Sequence, residues 1–214
     1  MKKIAIIGSG PTGIYTFYAL LKNPQPLSVS VFEQAEVAGV GMPYNDDENS
    51  RLMLANIASI EIPPIFMTYL DWLKGQSEAH LARFKVDKAR LHDRQFLPRL
   101  LLGEYFRDSF LTVVKEAKKL GFKVEIHESS EVTDIEVNSN AITLSVNGDA
   151  LADRYDIAVI ATGHVWPDED EASRTFFPSP WSGLMDASIP PCRVGIMGTS
   201  LSGLDAAMAV VMQH

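Results

Sequence analysis

The chain has 214 residues, of which 46% are hydrophobic and 21% charged, and its formal net charge is −8. This composition predicts a globular fold of one or two domains, and the acidic balance argues against nucleic acid or an acidic membrane surface as a partner. No run of about 18 apolar residues predicts a membrane span, so we expect a cytoplasmic protein. The single Cys192 excludes a disulfide within the chain and is expected to be buried in the core, and the histidines show no metal-site spacing.

The chain opens with the stretch KKIAIIGSGPTGIYTFYALL, which fits two kinds of segment. Two lysines before an apolar run could begin a secretory signal, but the glycines and Pro11 would break its helix and no small-residue cleavage site follows. The alternative is a buried strand over residues 4–7, a sharp turn and a helix. There Gly8 permits the turn, Gly10 leaves room for a pyrophosphate, and Gly13 lets the helix lie close to the strand. We expect this second arrangement.

The start of this helix has the features of a dinucleotide-binding turn. Pro11 fits the first helical turn, and the unpaired amides there would face phosphates with the help of the helix dipole. A second strand over residues 29–32 ends at Glu33, where an acid would bind the two ribose hydroxyls. An acid at this position favours an unphosphorylated ribose, hence FAD or NAD rather than NADP. A tight turn without a ligand is the alternative that these residues leave open.

Hydrophobic periodicity predicts further helices and strands along the chain. Residues 39–65 are rich in glycine and proline and predict loops, with an acidic run at 46–48 that fits a solvated turn. The apolar residues of 98–120 recur at helical spacing and end at two lysines and a glycine, which predicts a long amphipathic helix. The other expected elements are short helices at 66–73 and 78–84, strands at 122–126 and 155–161, and a hairpin of strands at 132–137 and 141–146.

Near the end of the chain, the motif G-T-S-L-S-G places Gly198, Ser200 and Gly203 at the spacing of the first three glycines. A strand is expected before it at 194–197 and a helix after it over 204–212. Serine at the middle position could still donate a hydrogen bond to phosphate, although it crowds the backbone more than glycine does. We expect the start of a second nucleotide-binding unit, incomplete in a truncated chain, with a purely structural turn as the alternative.

The chain resembles the flavoproteins with two dinucleotide-binding domains, in which two such turns flank a strand that ends in A-T-G. It is most similar to the bacterial FAD/NAD(P)-binding proteins at G-S-G-P-T-G-I-Y-T, G-V-G-M-P-Y, R-Q-F-L-P-R-L-L-L-G-E-Y-F, I-A-T-G-H-V-W-P and G-T-S-L-S-G-L-D-A-A. The resemblance implies an α/β fold, with a Rossmann-like FAD-binding domain that has a parallel sheet, a β-meander and a helical insertion, and with the start of a second, truncated Rossmann-like unit. The implied boundaries are 1–165 for the first domain with its insertion at about 42–97, 166–191 for a crossover linker and 192–214 for the incomplete NAD(P)-binding domain.

FAD and NAD(P)H are the cofactors that the resemblance implies. The implied cofactor-binding residues are Gly8, Gly10, Pro11, Thr12 and Gly13 for the pyrophosphate, Glu33 for the adenosine ribose with Gln34 next to it, Val132 for adenine through its backbone, Ala161, Thr162 and Gly163 near the FAD, and Gly198, Ser200 and Gly203 for the second nucleotide. Arg51 and Arg99 are cationic candidates for the phosphates or a substrate acid, because a guanidinium pairs well with either. A surface position without a ligand is the alternative for both arginines.

Asn56 is the candidate for a contact with the flavin ring. Its segment, R-L-M-L-A-N-I-A-S, is similar in position to the stretch of flavin-containing monooxygenases that places an asparagine beside the isoalloxazine. Those enzymes have proline and lysine after the asparagine, whereas residues 57–59 here are I-A-S, which leaves oxygenation open. A cap on the local backbone is the structural alternative. His164 and Tyr44 could reach a flavin edge, although a structural role is the commoner one for each.

The expected function is that of an FAD-dependent oxidoreductase that accepts hydride from NAD(P)H and acts on a small molecule, with a monooxygenase-like subtype as one option. Disulfide reductases of the glutathione reductase type are excluded because residues 34–97 contain no cysteine. The alternative class is a flavin- or nucleotide-binding module without turnover, since no acid or base occupies a convincing catalytic position. The substrate and the oligomeric state are not predicted.

Overall fold

The computed structural model describes residues 1–23, 25–44, 53–139, 141–163, 176–177, 184 and 187–213. In chain order the strands and helices are β1 (Lys3–Ile7), α1 (Pro11–Leu20), β2 (Ser28–Phe32), α2 (Tyr69–Gly75), α3 (Glu78–Ala82), α4 (Arg99–Lys119), β3 (Lys123–His127), β4 (Val132–Asn138), β5 (Ala141–Val146), β6 (Asp149–Ala150), β7 (Ile157–Ile160) and α5 (Leu201–Val211). Short 3-10 helices lie at Met42–Tyr44, Ser59–Glu61 and Lys88–Arg90. No helix within the described ranges has both the length and the apolarity needed to cross a membrane.

Four parallel strands form the central sheet, in the order β3, β2, β1, β7. β1 lies between β2 and β7 and pairs in parallel with both. Side chains alternate along a strand, so Ile4 and Ile6 belong to the core on one face of the sheet and Ala5 and Ile7 to the core on the other. A strand that is apolar on both sides is typical of a covered parallel sheet, and the prediction of a buried strand at the start of the chain is confirmed.

Helices cover one face of this sheet and an antiparallel meander covers the other. Phe17 of α1 and Tyr105 of α4 lie in the core on the helical side. The meander has the strand order β4, β5, β6, and Leu144 and Tyr155 pack with Phe32 on its side of the sheet. The predicted hairpin is therefore confirmed as part of a three-layered α/β fold, which has the predicted parallel sheet and meander.

α4 confirms the predicted long helix and carries a wide buried face, since its side chains pack under both α1 and the insertion. Its last turn contains Lys118 and Lys119, whose charges suit the negative end of the helix dipole. Gly121 follows in the left-handed region with φ 82°, a conformation that glycine adopts without strain. The lysines and the glycine thus end the helix where the sequence predicts.

The first short helix of the insertion begins later than predicted. Phe66 has φ 64°, a left-handed conformation that interrupts a right-handed helix. Thr68 then accepts a hydrogen bond from the Asp71 N–H through its hydroxyl oxygen (3.1 Å) and acts as the N-cap of α2. Because the cap fixes the start at Tyr69, the prediction of helix from residue 66 is wrong for the first turn.

The C-terminal segment differs from the prediction in one element. Residues 194–197 form no strand, and Val194, Ile196 and Met197 are 45%, 42% and 95% exposed. A parallel strand needs a neighbour for its backbone hydrogen bonds, and none of the described strands lies beside this segment. Cys192 is exposed, so the prediction of a buried cysteine beside a strand is also wrong. The predicted helix is confirmed as α5, which begins at Leu201.

Candidate dinucleotide-binding site

The turn between β1 and α1 is as tight as the glycine spacing predicts. Gly8 has φ 97°, and its N–H donates to the Phe32 carbonyl oxygen (2.8 Å). A Cβ at Gly13 would lie 2.1 Å from the Gly8 carbonyl oxygen, which is closer than any side chain tolerates. α1 therefore lies directly against the end of β1, and both glycines are required by the backbone itself.

The end of β7 lies against this turn. A Cβ at Gly8 would lie 2.3 Å from the Ala161 carbonyl oxygen and 3.1 Å from the Thr162 nitrogen. The Ala161 N–H donates to the Ile7 carbonyl oxygen (2.7 Å), which extends the pairing of β1 and β7 past the last strand residue. The structure therefore brings the A-T-G segment to the first glycine turn, at the carboxyl edge of the sheet where ligands of such folds bind.

A loop after β2 crosses the middle of the turn. A Cβ at Gly10 would lie 3.3 Å from the Gly41 Cα, and a Cβ at Gly41 would lie 2.9 Å from the Pro11 Cδ. The space beside Gly10, which the sequence assigns to a pyrophosphate, is therefore bordered by Gly41. Sequence reasoning did not assign Gly41 a role, although it lies in the similar segment G-V-G-M-P-Y.

Glu33 lies at the end of β2 and is buried, 9% exposed. Its Oε2 accepts hydrogen bonds from the Ser9 N–H (3.0 Å) and the Ser9 Oγ (2.5 Å), and its Oε1 accepts one from the Ala35 N–H (3.0 Å). Ser9 is fully buried, and its hydroxyl oxygen also accepts from the Gly39 N–H (2.7 Å). The acid predicted for the ribose is thus held beside the glycine turn by a serine that sequence reasoning missed.

Two charged side chains hold the loop in place from the far side. The Arg107 guanidinium of α4 donates to the Ala38 carbonyl oxygen and to Glu128 Oε1 (3.3 Å). Glu128 Oε1 accepts in turn from the Ala38 N–H (2.8 Å). Gly39 has φ 87°, and a Cβ there would lie 2.6 Å from the Phe110 Cδ1. The chain over residues 38–41 is therefore fixed at several points above the turn.

The start of α1 presents a glycine-rich end to this region. Gly10 is its N-cap and provides no side-chain cap, and the first helix hydrogen bond runs from the Ile14 N–H to the Gly10 carbonyl oxygen (2.9 Å). Pro11 has no N–H, and Thr12 is exposed. Amides at such a helix start, aligned with the dipole, suit an anionic group such as a diphosphate, and Glu33 alongside suits a ribose. The residues present fit an adenine dinucleotide.

The other predicted site residues are placed less tightly. Gln34 and Asn56 are exposed, and the Asn56 side chain makes no hydrogen bond to any other described residue, so the interpretation as a backbone cap is not supported.

Val132 is half-buried and pairs with Val146 at the start of β4. Tyr44 packs its ring on Phe106 at 5.4 Å between ring centroids, and burial raises its pKa. Arg51, His164 and the acidic run at 46–48 lie outside the described residues.

The second glycine turn has the backbone geometry of the first. Gly198 has φ 105°, and a Cβ at Gly203 would lie 2.7 Å from the Gly198 carbonyl oxygen. The N-cap residues Ser200 and Gly10 have ψ −178° and −174°, and both carbonyl oxygens accept the first helix hydrogen bond. The segment before Gly198 forms no strand. The similar backbone geometry of the two turns therefore depends only on the turn residues and the helix that follows them.

Arg99 takes part in an ion pair within the protein. Its side chain is 6% exposed, and its Nη2 donates to Asp205 Oδ2 of α5 (2.9 Å), while its Nε donates to the Leu54 carbonyl oxygen (3.0 Å). Burial raises the pKa of Asp205, and the Arg99 charge opposes that shift. The alternative of a surface arginine is therefore wrong for Arg99, which is buried because it begins α4 beneath α5.

Comparison with known proteins gives relatives of two kinds. The uncharacterized protein YdhS of Escherichia coli strain K12 is 64% identical over 214 residues, which are all of this chain and 40% of that protein. Among solved structures, Tmm from Pelagibacter sp. strain HTCC7211 has a TM-score of 0.49 at 19% identity and covers 80% of this chain and 40% of its own. S-allyl-L-cysteine S-oxygenase from Allium sativum has a TM-score of 0.47 at 17% identity, with 76% of this chain and 36% of its own covered. Both structural likenesses are too weak to bear on function.

A family model described as FAD-NAD(P)-binding matches residues 5–165, the part of the chain that contains the sheet, the first glycine turn and the meander. That description names both cofactors expected from the sequence, FAD and NAD(P)H. The chain belongs to this FAD/NAD(P)-binding family.

Proposed function

We propose that the protein is an FAD-dependent oxidoreductase that accepts hydride from NAD(P)H and passes the electrons to a small organic substrate or to oxygen. The observation that carries the proposal is the first turn, where the close packing at Gly8 and Gly13 places a glycine-capped helix start beside the buried acid Glu33. Membership of the FAD/NAD(P)-binding family supports it. The chain spans 40% of the length of its Escherichia coli relative, so the activity concerns the whole protein.

The residues of the turn would bind and orient the cofactor. The backbone from Gly8 to Gly13 would receive the diphosphate, and Glu33 would accept hydrogen bonds from the adenosine ribose while Ser9 keeps its carboxylate in place. FAD supplies the capacity to take up a hydride and release electrons, and the protein contributes binding and orientation. Ala161 and Thr162, which lie on Gly8, would border the same cofactor.

Residues outside the first glycine turn would determine the contacts with the substrate and with the second nucleotide. Asn56 is exposed, and its side-chain amide forms no hydrogen bond with another described residue, which supports a contact with a ligand near the flavin. We propose the second turn at Gly198, Ser200 and Gly203 as the NAD(P)-binding element, with residues 1–165 as the FAD-binding domain and 192–214 as the beginning of the second.

Anaerobic reduction of the purified protein tests this function. The full-length protein is saturated with FAD, mixed with NADH or NADPH without oxygen, and followed through the flavin absorbance band. We expect one of the two nicotinamides to bleach the band, and hydrogen peroxide to form when air is readmitted without substrate. A bound flavin that neither nicotinamide reduces would contradict the oxidoreductase and indicate a non-catalytic binding module. Full-length protein that takes up no FAD would contradict both the oxidoreductase and the flavin-binding module.

A further inference from the structure

The position of Arg99 is fixed within the first part of the chain. Its backbone N–H donates to the Met53 carbonyl oxygen (2.8 Å), and its Nε donates to the Leu54 carbonyl oxygen (3.0 Å). Leu54 and Pro98 form an antiparallel bridge that joins the two segments just before α4. The guanidinium is therefore held at the start of α4 with one face turned toward α5.

Asp205 meets that guanidinium from the other side. The two residues are separated by 106 positions in sequence, and the Nη2 to Oδ2 distance is 2.9 Å. Their side chains are 6% and 13% exposed, so the Asp205 carboxylate is largely desolvated. A carboxylate in such a place is stable as an anion only beside a cation, so the loss of the Arg99 charge would leave the Asp205 carboxylate in an unfavourable environment.

Within the described part of the chain, most apolar side chains at the ends of α5 are exposed. Its apolar residues Leu201, Leu204 and Val211 are 49%, 59% and 66% exposed, and Ala209 is its one residue in the buried class. Apolar contacts of small area specify orientation poorly, whereas a charged pair with a directional donor specifies it well. Asp205 also lies two positions after Gly203, so its location determines where the second glycine turn lies.

We propose that Arg99 and Asp205 are a positioning pair that orients the second glycine turn relative to the first part of the chain, and so fixes where a nicotinamide dinucleotide bound at Gly198–Gly203 meets the flavin. Arg99 then acts through Asp205 and is not a ligand of phosphate. The placement of α5 follows from the contacts above, and the consequence for hydride transfer rests on the proposed function.

Hydrogen exchange of the FAD-loaded full-length protein, without nicotinamide, tests the placement. Asp205→Asn keeps the side-chain shape and removes the charge, and Arg99→Lys keeps a charge but cannot donate to both Leu54 and Asp205. In both variants we expect amides of α5 to exchange at least about tenfold faster than in the wild type, with α1 and β1 unchanged. Asp149→Asn, which alters an exposed carboxylate of β6, is the matched control and should leave α5 unchanged. Protection of α5 at the wild-type level in both variants would overturn the proposal.

The rate of flavin reduction tests the consequence. A misplaced nicotinamide loses hydride-transfer rate rather than affinity, so we expect the limiting rate in Asp205→Asn to fall about tenfold or more while the dissociation constant of FAD stays the same. A variant with a loosened α5 and a wild-type rate would overturn the positioning role. If the wild-type flavin is not reduced at all, the proposed function fails, and the exchange measurement still decides whether the pair places α5.

Discussion

The buried hydroxyl of Ser9 is shared between the acid at the end of β2 and the loop that follows it. It donates to Glu33 and accepts from the Gly39 N–H, and both contacts are shorter than 2.8 Å. This hydroxyl thus links the Glu33 carboxylate to the 38–41 loop beside the glycine turn. The loss of this hydroxyl should therefore affect both the binding of FAD and the stability of the fold.

Ser9→Ala should weaken FAD binding by about tenfold, because Glu33 loses a hydrogen bond that orients it and the Gly39 N–H loses its acceptor. The free energy of unfolding should fall by about 1–3 kcal/mol for the same reason. Fluorescence titration with FAD and urea denaturation measure the two effects. Ser139→Ala, on an exposed serine next to the hairpin turn, is the control and should change neither. FAD affinity at the wild-type level in Ser9→Ala would contradict the role given to the hydroxyl.

Replacement of tyrosine by phenylalanine should have different effects on stability at two positions in the helical layer. Tyr15 donates to the Pro63 carbonyl oxygen (2.5 Å), whereas the Tyr69 hydroxyl is buried without a partner among the described residues. Tyr15→Phe should lower the free energy of unfolding by about 1 kcal/mol, and Tyr69→Phe should leave it unchanged or raise it. Urea denaturation of the two variants side by side gives the answer. An equal loss in both would show that the Tyr69 hydroxyl is satisfied in solution.

Whether the role of a residue can be predicted from the sequence depends on how far along the chain its interaction partners lie. Gly8, Gly13 and Glu33 could be predicted because a local turn and a strand end define their places. Ser9 could not, since the partners that reveal its role are 24 and 30 positions away. Arg99 was a candidate ligand of the phosphates or of a substrate acid, and its partner Asp205 is 106 positions distant, so only the fold identifies this ion pair.

At the scale of elements, the crossing of β1 and α1 depends on a contact between two backbones. The absent side chain of Gly13 leaves room for the Gly8 carbonyl oxygen, which lies 2.1 Å from where a Cβ would be. Neither atom can move without shifting a whole strand or helix. The distance between β1 and α1 is therefore set by the glycine spacing.

Gly13→Ala should destabilise the protein by at least about 3 kcal/mol, because the added methyl overlaps a backbone oxygen that cannot retreat. Gly75→Ala is the matched control, since Gly75 ends α2 and a Cβ there meets nothing within 4 Å. That change should be neutral or stabilise by up to about 1 kcal/mol. Thermal unfolding of both variants tests the pair. A similar loss of stability in Gly75→Ala would attribute the effect to glycine replacement in general.

Most elements could be predicted from the sequence because their signals are local. The apolar run of β1, the helical stripe of α4 and the alternation in β4 and β5 each persist over enough residues to define a type. The exception is residues 194–197, which have the composition of a strand but lack a partner among the described strands. A β-strand needs backbone hydrogen bonds to a neighbouring strand, and an apolar composition alone does not supply that neighbour.

At the scale of the whole molecule, the fold raises the pKa of five tyrosines. Burial is the first cause that raises the pKa of Tyr15, Tyr44, Tyr69, Tyr105 and Tyr155 above its ordinary value of 10.0. In the unfolded chain these hydroxyls ionise at about pH 10, whereas the folded protein keeps them neutral to higher pH. Stability from this source is present below pH 10 and is lost as pH rises above it.

The free energy of unfolding should therefore fall above about pH 10, by up to about 1.4 kcal/mol per pH unit for each tyrosine that ionises only in the unfolded chain. Urea denaturation at several pH values between 8 and 11 measures the slope. Tyr69→Phe removes one of the contributing groups and should make the slope shallower. A free energy that is independent of pH over this range would show that the hydroxyls are not held neutral by the fold.

The two outer strands of the parallel sheet differ in how well they resist association. β3 carries Lys123 and Glu125 on its exposed side, and such charges discourage another chain from adding a strand. β7 reads I-A-V-I, exposes Ile157 and Ile160 by 43% and 66%, and pairs with β1 alone among the described strands. Its outer margin is a ready template for cross-chain pairing, so these 214 residues on their own should self-associate through β7 unless a covering segment shields it.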